Sequence, residues 1–356
     1  MNPSEHLIGI FQGEGIGPEV SQSALRVLAA LERAHGGRHR FAWREGGPIG
    51  CLSISINGQP LDAEAIRFCR QIFAAGGIIL AGPGGDRFVY ECRKEFGLYY
   101  KLNPLKPSPL PLEARRIKPE ILREVDILVV RDNSGGIYQG DWGVETLPCG
   151  DRSARQSFRY SESQVRSVAE VACEQALRRR GSLTIVTKPN GIPAVSQLWL
   201  ECVRGIAECR NLAVQELEID YAAFALIQHP HQFDVVVTSN LFGDILSDIG
   251  GLLLGSRGLC YGASFSSDGA AIYQTNHGAA YDLAGQDRAN PIGHLLALAM
   301  ALEISFKLPE VAETLRQAID SAWQQGWRTE DLAEPGCKTV GTEAMTTCIE
   351  EAILSA

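Results

Sequence analysis

Short β-branched apolar runs alternate along this chain with segments of helical period. Runs at residues 7–11, 78–81, 127–131, 183–187, 214–219 and 235–238 have the length and composition of buried strands. Between them, apolar positions recur at helical spacing at Val20, Ala24, Val27, Leu28 and Leu31, over 63–74, over 162–180 and over 195–210. Pro18 fits the first turn of the first of these helices, and His35-Gly36 ends it. Strands separated by helices predict an α/β protein with crossover connections. The Pro-rich piece at 104–111 is the best place for the chain to pass between two domains.

After the run at 235–238, Asn240-Leu241-Phe242-Gly243-Asp244-Ile245-Leu246-Ser247-Asp248 reads as a tight turn opening a helix that continues through Leu254. Asp244 and Asp248 are four residues apart, so they share a helix face with Cβ atoms roughly 5–6 Å apart. No other charge lies between Leu241 and Ile249. The pair is either a set of hard oxygen ligands suited to Mg²⁺ or Mn²⁺ or a solvated acidic face.

Composition narrows the class. The 356 residues are 45% hydrophobic and 21% charged, values of a globular protein that exclude disordered and fibrous classes. A net charge of −9 argues against nucleic acid as a partner, and Arg178-Arg179-Arg180 is expected to end a helix. No apolar stretch reaches a membrane span, the longest, at 295–306, being interrupted by Glu303. The start of the chain lacks the basic region and cleavage site of a signal peptide. Ten scattered cysteines without a C-x-x-C pair suggest reduced thiols and a cytoplasmic location.

Several polar residues stand where α/β sheets place ligands, at strand carboxyl ends. Arg131, in Arg131-Asp132-Asn133-Ser134-Gly135-Gly136-Ile137-Tyr138, either grips a carboxylate or is a surface residue of a turn with a packed Tyr138. Lys188 follows another strand and is either solvated or, beside a metal, a general base of lowered pKa. Asp220 is explained by an N-cap role, and Arg93 by a solvated helix face. The turn Gly13-Glu14-Gly15-Ile16-Gly17-Pro18 can approach a ligand but lacks the dinucleotide-fingerprint spacing. The polar loop from His277 to Pro291 has the length of a binding loop.

Taken together, these segments resemble the β-decarboxylating dehydrogenases, the family of 3-isopropylmalate, isocitrate, homoisocitrate and tartrate/D-malate dehydrogenases. The likeness spans the chain: G-x-G-I-G-P-E at 13–19, Arg93-Lys94, G-G-I-Y at 135–138, K-x-N at 188–190, N-L-F-G-D-I-L-S-D at 240–248, H-G-x-x-x-D-x-A-G…A-N-P at 277–291 and G-T-E at 341–343. The resemblance implies a two-domain α/β fold distinct from the Rossmann fold, residues 1–101 with 254–356 forming one domain and 102–253 the other. It also implies a homodimer with shared active sites. By motif position, Asp244 and Asp248, joined by Asp220 of the neighbouring subunit, would bind Mg²⁺ or Mn²⁺. Lys188, also from the neighbour, would take the hydroxyl proton, Tyr138 would protonate the product carbanion, and Arg93 and Arg131 would bind substrate carboxylates. Asn190, His277, Gly278, Asp282 and Asn290 would contact NAD, Asp282 at the adenosine ribose.

This sequence departs from the family in ways that mark a divergent member. Where the family writes L-R-P with a third carboxylate-binding Arg, it has Leu102-Asn103-Pro104; Asn103 donates a hydrogen bond but no charge, so either a different anion pattern is recognised, or Lys106 or Arg87 compensates, or malate-type binding is weak. Residues 82–90, which face the C3 group in the family, match neither the isopropylmalate nor the isocitrate pattern. Gln274 and Ser239 stand where acids are common, and Tyr281 replaces a Pro. The expected activity is oxidative decarboxylation of a small 2-hydroxy acid with a C3 carboxylate. The rivals are a non-catalytic regulatory subunit and a dehydrogenase that does not decarboxylate; retention of Tyr138, Lys188 and three aspartates argues against the first.

Overall fold

The computed structural model describes residues 4–107 and 117–355, so residues 108–111 of the Pro-rich piece lie outside it. Strand β1 (Ser4–Phe11) leads through the glycine turn to helix α1 (Gly17–Ala34), then β2 (His39–Glu45), α2 (Gly50–Asn57), α3 (Ala63–Ala74), β3 (Ile78–Ala81), α4 (Phe88–Glu95) and β4 (Tyr100–Leu105). The middle of the chain supplies α5 (Pro119–Leu122), β5 (Ile127–Asp132), the hairpin β6 (Trp142–Thr146) and β7 (Arg152–Gln156), α6 (Glu162–Arg178), β8 (Ser182–Thr187), α7 (Pro193–Cys209), β9 (Ala213–Glu218), α8 (Ile219–Gln228), β10 (Val235–Thr238) and α9 (Asn240–Leu254). The last third adds β11 (Tyr261–Phe265), β12 (Ala271–Thr275), α10 (Ile292–Ile304), α11 (Pro309–Gln324) and α12 (Thr342–Ser355).

Ten strands form one sheet in the order β2-β1-β3-β12-β11-β4-β5-β10-β8-β9. Its two flanks, β2-β1-β3-β12 and β5-β10-β8-β9, are parallel within themselves. Antiparallel β11 and β4 join them. The predicted domain border at residues 101/102 thus falls inside β4, which pairs with one flank's hairpin through β11 and with the other flank through β5. Buried apolar side chains run continuously beneath both flanks, from Ile8, Leu28 and Met345 to Val165, Trp199 and Val236.

Local signals explain the element ends. Asp62 caps α3 by accepting the Ala65 N–H at 2.7 Å. Ser161 and Gln164 form a capping box on α6. Gly255, at φ 97°, closes α9 in the left-handed region. One boundary corrects the sequence expectation: β9 stops at Glu218 and α8 starts at Ile219, so Asp220 sits in the first helical turn and is not the N-cap. The arginine triplet ends α6 as expected, and Arg179 then turns inward to pair with Asp126 and with fully buried Asp234.

Candidate active site

A cavity of about 250 Å³ opens at the seam of the sheet, between the 82–90 segment, Arg93, Lys101, Arg131, the Asp244–Asp248 face of α9 and residues 274–278. Arg131 is its floor. It ends β5 almost wholly buried, and α9 can lie on its aliphatic stem only because residue 243 is glycine; a Cβ there would come within 2.7 Å of Arg131 Cγ. Arg131 Nε and Nη2 donate to Asn240 Oδ1 at 3.2 and 2.8 Å, and Nη1 pairs with Asp244. Asn240 is fixed in turn, its Nδ2 donating to Gly135 O at 2.9 Å and its N–H to Tyr160 Oη at 3.0 Å. Tyr160 donates to Asp132, whose carboxylate also accepts the Ser134 and Gly135 N–H groups at 3.0 Å. The R-D-N-S-G-G run is therefore a built turn that aims Arg131 at α9.

Asp244 accepts from Tyr138 Oη at 3.0 Å on its other oxygen. Burial alone would raise the Asp244 pKa, but Arg131, Lys101, Tyr138 and Arg93 outweigh it and hold the carboxyl below its usual range. Tyr138 is pushed up to about 12 by burial and the Asp244 charge, so it keeps its proton at neutral pH. Asp248, one turn along, accepts from Arg257 Nη2 at 2.9 Å.

Arg93 lies on α4 with its guanidinium carbon 5.2 Å from the Tyr90 ring centre. It is buried, not on a solvated face, and its Nε and Nη1 have no hydrogen-bond partner. Burial, then the charge of Arg131, pushes its pKa down to about 9. A guanidinium stays protonated at neutral pH, so Arg93 is a buried cation with two N–H groups left for an anion.

Asn103 is a correction. It is fully buried on β4 outside the cavity wall; its Oδ1 accepts from Asn276 Nδ2 at 3.0 Å, and its Nδ2 has no partner. Neither expected substitute replaces the missing charge. Lys106 points to Asp126 at 3.5 Å, and Arg87 lies over the rings of Trp142 and Tyr90. The cation that does face the cavity is Lys101, two residues before Asn103 and on the same strand face; alternation along β4 was the signal that could have found it.

Lys188, Asn190 and Asp220 are not brought to this cavity within one chain. Their strands, β8 and β9, lie two and three places from β5 in the sheet. Lys188 Nζ donates to Glu218 and Asp220 at 2.6 and 2.7 Å, and these two carboxylates raise its pKa, opposite to the lowering expected of a base beside a metal. Asn190 is exposed on the turn after Lys188. Among the described residues no three His, Cys, Asp or Glu side chains converge on a metal position. Asp244 and Asp248 nevertheless suit a hard divalent ion, since both present oxygen ligands one helical turn apart on the wall of one cavity, which Asp86 also lines.

A second groove, of about 600 Å³, is lined by Ile16, Arg257, His277, Gly278, Asn290 and Asp331 among others. His277 Nδ1 lies 3.0 Å from Gly278 O, and burial lowers its pKa, so the neutral ring donates there and leaves Nε2 as an acceptor without a partner. Asn290 has a structural task as well, accepting the Ile292 N–H at the start of α10 and donating to Asp331. Asp282 is exposed in the loop beyond the groove. The glycine turn contacts backbone and no ligand cradle forms there: Glu14 and Ile16 N–H groups bond Pro83 O and Ala279 O, and a Cβ on Gly13 or Gly15 would collide with those same carbonyls.

An anion-seeking cavity beside paired aspartates, set at strand carboxyl ends next to a loop-lined groove, lies where α/β proteins bind ligands. The isocitrate/isopropylmalate dehydrogenase family profile matches residues 7–349, and the chain belongs to that family. It is 38% identical over 350 residues to the 3-isopropylmalate dehydrogenase of Gloeobacter violaceus, covering 95% of each chain. It is 38% identical over 355 residues to that of Synechococcus sp. (strain CC9605), covering 96% of this chain and 98% of the relative. The crystal structure of isocitrate dehydrogenase from Methylococcus capsulatus superposes with a TM-score of 0.85 at 28% identity, covering 98% of this chain and 99% of the other. The α/β fold of this family and the enzymatic character expected from the sequence are borne out.

Proposed function

We propose that this protein catalyses NAD-dependent, Mg²⁺- or Mn²⁺-assisted oxidative decarboxylation of a small 2-hydroxy acid bearing a carboxylate on C3, as a homodimer whose active sites draw on both chains. The observation that carries this reading is the buried, anion-seeking Arg93 beside Arg131 and the Asp244/Asp248 pair around one cavity, with Tyr138 hydrogen-bonded to Asp244 at its edge.

Support for the dimer comes from α8 and α9, which leave Tyr221, Phe224, Ile245 and Leu252 exposed. Covering these two helices with a symmetry mate would bring Lys188 and Asp220 of one chain toward Asp244 and Asp248 of the other, completing three carboxylates. A bound divalent ion would supply Lewis-acid stabilisation of negative charge on the substrate oxygens. Arg93 and Arg131 orient the acid through its carboxylates. Lys188 takes the hydroxyl proton, in the deprotonated form that a nearby cation would favour once it displaces the Asp220 contact. Tyr138 gives its proton to the carbon left by CO₂. His277, Gly278, Asn290 and Asp282 would hold the adenosine half of NAD, and Asn190, beside Lys188, its nicotinamide end. The ten cysteines are all free thiols, which supports a cytoplasmic location. Among the described residues no helix is long and apolar enough to cross a membrane.

The test is NADH formation from 3-isopropylmalate, isocitrate, homoisocitrate, D-malate and tartrate with each metal, with CO₂ release measured in parallel. Metal-dependent turnover of one acid with matching CO₂ supports the reading. Silence on all five, or NADH without CO₂, sinks it.

A further inference from the structure

Lys101 takes no part in the chemistry above, yet it is among the most conspicuous charges in the cavity. It is 4% exposed, and its Nζ donates to a neutral partner, Asn276 Oδ1, at 2.6 Å. Among the described residues it makes no ion pair. In the sheet it lies directly across from Arg131, and both side chains face the same cavity. Two like charges directly opposite each other on adjacent strands repel, and burial removes the water that would screen them. Asp244 and Asp248 relieve this only in part: their charges act on Lys101, but Arg131 and Arg257 hold them as ion-pair partners, and burial with the charges of Arg93 and Arg131 still pushes the Lys101 pKa well down. Arg93 adds a third cation to the same wall with two unpartnered N–H groups. The cavity thus holds two buried basic side chains, Arg93 and Lys101, that form no ion pair with a carboxylate among the described residues.

We propose that Lys101 is a specificity-determining residue that binds a substrate carboxylate together with Arg93, selecting compact dianionic hydroxy acids whose second anionic group reaches the Asn276 wall. This rests on the reading of the cavity as a hydroxy-acid site. The charge selects the acid group, while Phe88, Val89 and Tyr90, which also line the cavity, bound the size of the remaining substituent. The competing role for Lys101 is structural, the orienting of Asn276, which bridges to Asn103.

Two variants separate these roles. Lys101→Gln keeps an N–H donor for Asn276 and removes the charge; Lys101→Met removes both. Binding of 3-isopropylmalate, isocitrate and D-malate to the full chain with Mn²⁺ is measured by calorimetry, alongside KM, kcat and the melting midpoint. The tightest-binding acid is expected to lose about 30-fold in Kd in both variants, the scale of one charge-assisted hydrogen bond. KM should rise by the same factor with kcat nearly unchanged, NAD affinity should hold, and neither variant should melt below the unaltered protein. Binding to Lys101→Gln within about twofold of the unaltered protein overturns the charge role while leaving the hydroxy-acid site standing. Failure of all three acids to bind the unaltered protein overturns both.

Discussion

Replacing Arg93 by Met should make the ligand-free protein more stable and nearly unable to bind its acid. Two buried N–H groups of Arg93 lack partners, and each such group costs about 1–3 kcal/mol, so their removal relieves roughly 2–6 kcal/mol. Against this stands the stacking of the guanidinium on Tyr90, whose loss costs about 0.5–2 kcal/mol. Methionine refills the stem's volume, leaving a net gain of roughly 0–5.5 kcal/mol. With an unfolding entropy of about 2.1 cal/mol/K per residue, the 356-residue chain shifts its midpoint by about 1.3 °C per kcal/mol, so a rise of up to roughly 7 °C is expected. The same two N–H groups, once on a carboxylate, are worth about 1.5–3 kcal/mol each, which corresponds to a loss of roughly 10²–10⁴ in affinity. Differential scanning calorimetry of the ligand-free protein and titration with the acid identified by turnover measure both sides. A midpoint several degrees below the unaltered protein, with acid affinity retained, would falsify the assignment of Arg93 as a charge held ready for an anion.

Other outcomes follow from the same geometry. His294 is fully buried with both ring nitrogens unpartnered, and burial, aided by His277, pushes its pKa down to about 3. The unfolded chain takes this proton near pH 6.5 and the folded chain refuses it, so this contribution to stability is intact above pH 6.5 and is lost at up to about 1.4 kcal/mol per unit as pH falls toward 3. Urea unfolding of His294→Leu should show a shallower decline between pH 6.5 and 4; identical slopes would refute a buried neutral ring. Co-expressed Lys188→Ala and Asp248→Asn chains should recover about a quarter of full activity, since half of the dimers are mixed and each carries one intact site. Activity no higher than the two variants alone would mean that the site is not shared. Gly243→Ala sets a methyl against the Arg131 stem and should lower kcat/KM at least about tenfold by moving that guanidinium off Asn240; unchanged kinetics would show that α9 accommodates it.

The sequence made the outer flanks of the fold legible. Helix α3 and strands β3 and β10 begin and end where the pattern places them, because each is a buried apolar run or an amphipathic repeat bounded by Asp62, Gly82 or Asp234. Strands β4, β11 and β12 were missed. They carry Lys101, Asn103, Ser264 and Gln274, polar side chains needed at the cavity and its supports, so local composition hid them, and two of their pairings, β4 with β11 and β12 with β3, join residues more than a hundred apart. The same blindness explains the misplaced charge: aligning residue types picked out Asn103, whereas only the face of β4 reveals Lys101. Lys188 and Asp220 were legible as residues but not as neighbours of Asp244, because that adjacency needs a second chain.

The position of β11 and β12 in the middle of the sheet also bears on how the chain is made. Strands β3 and β4 both finish by Leu105, but the hairpin that lies between them ends only at Thr275. A ribosome adding roughly 5–20 residues per second needs on the order of 10–35 s to supply those intervening residues of about 170. Throughout that interval the nascent chain carries two open strand edges, each a template for pairing with another polypeptide. The seam that builds the cavity is thus also the segment whose late arrival exposes this protein to misassembly during synthesis.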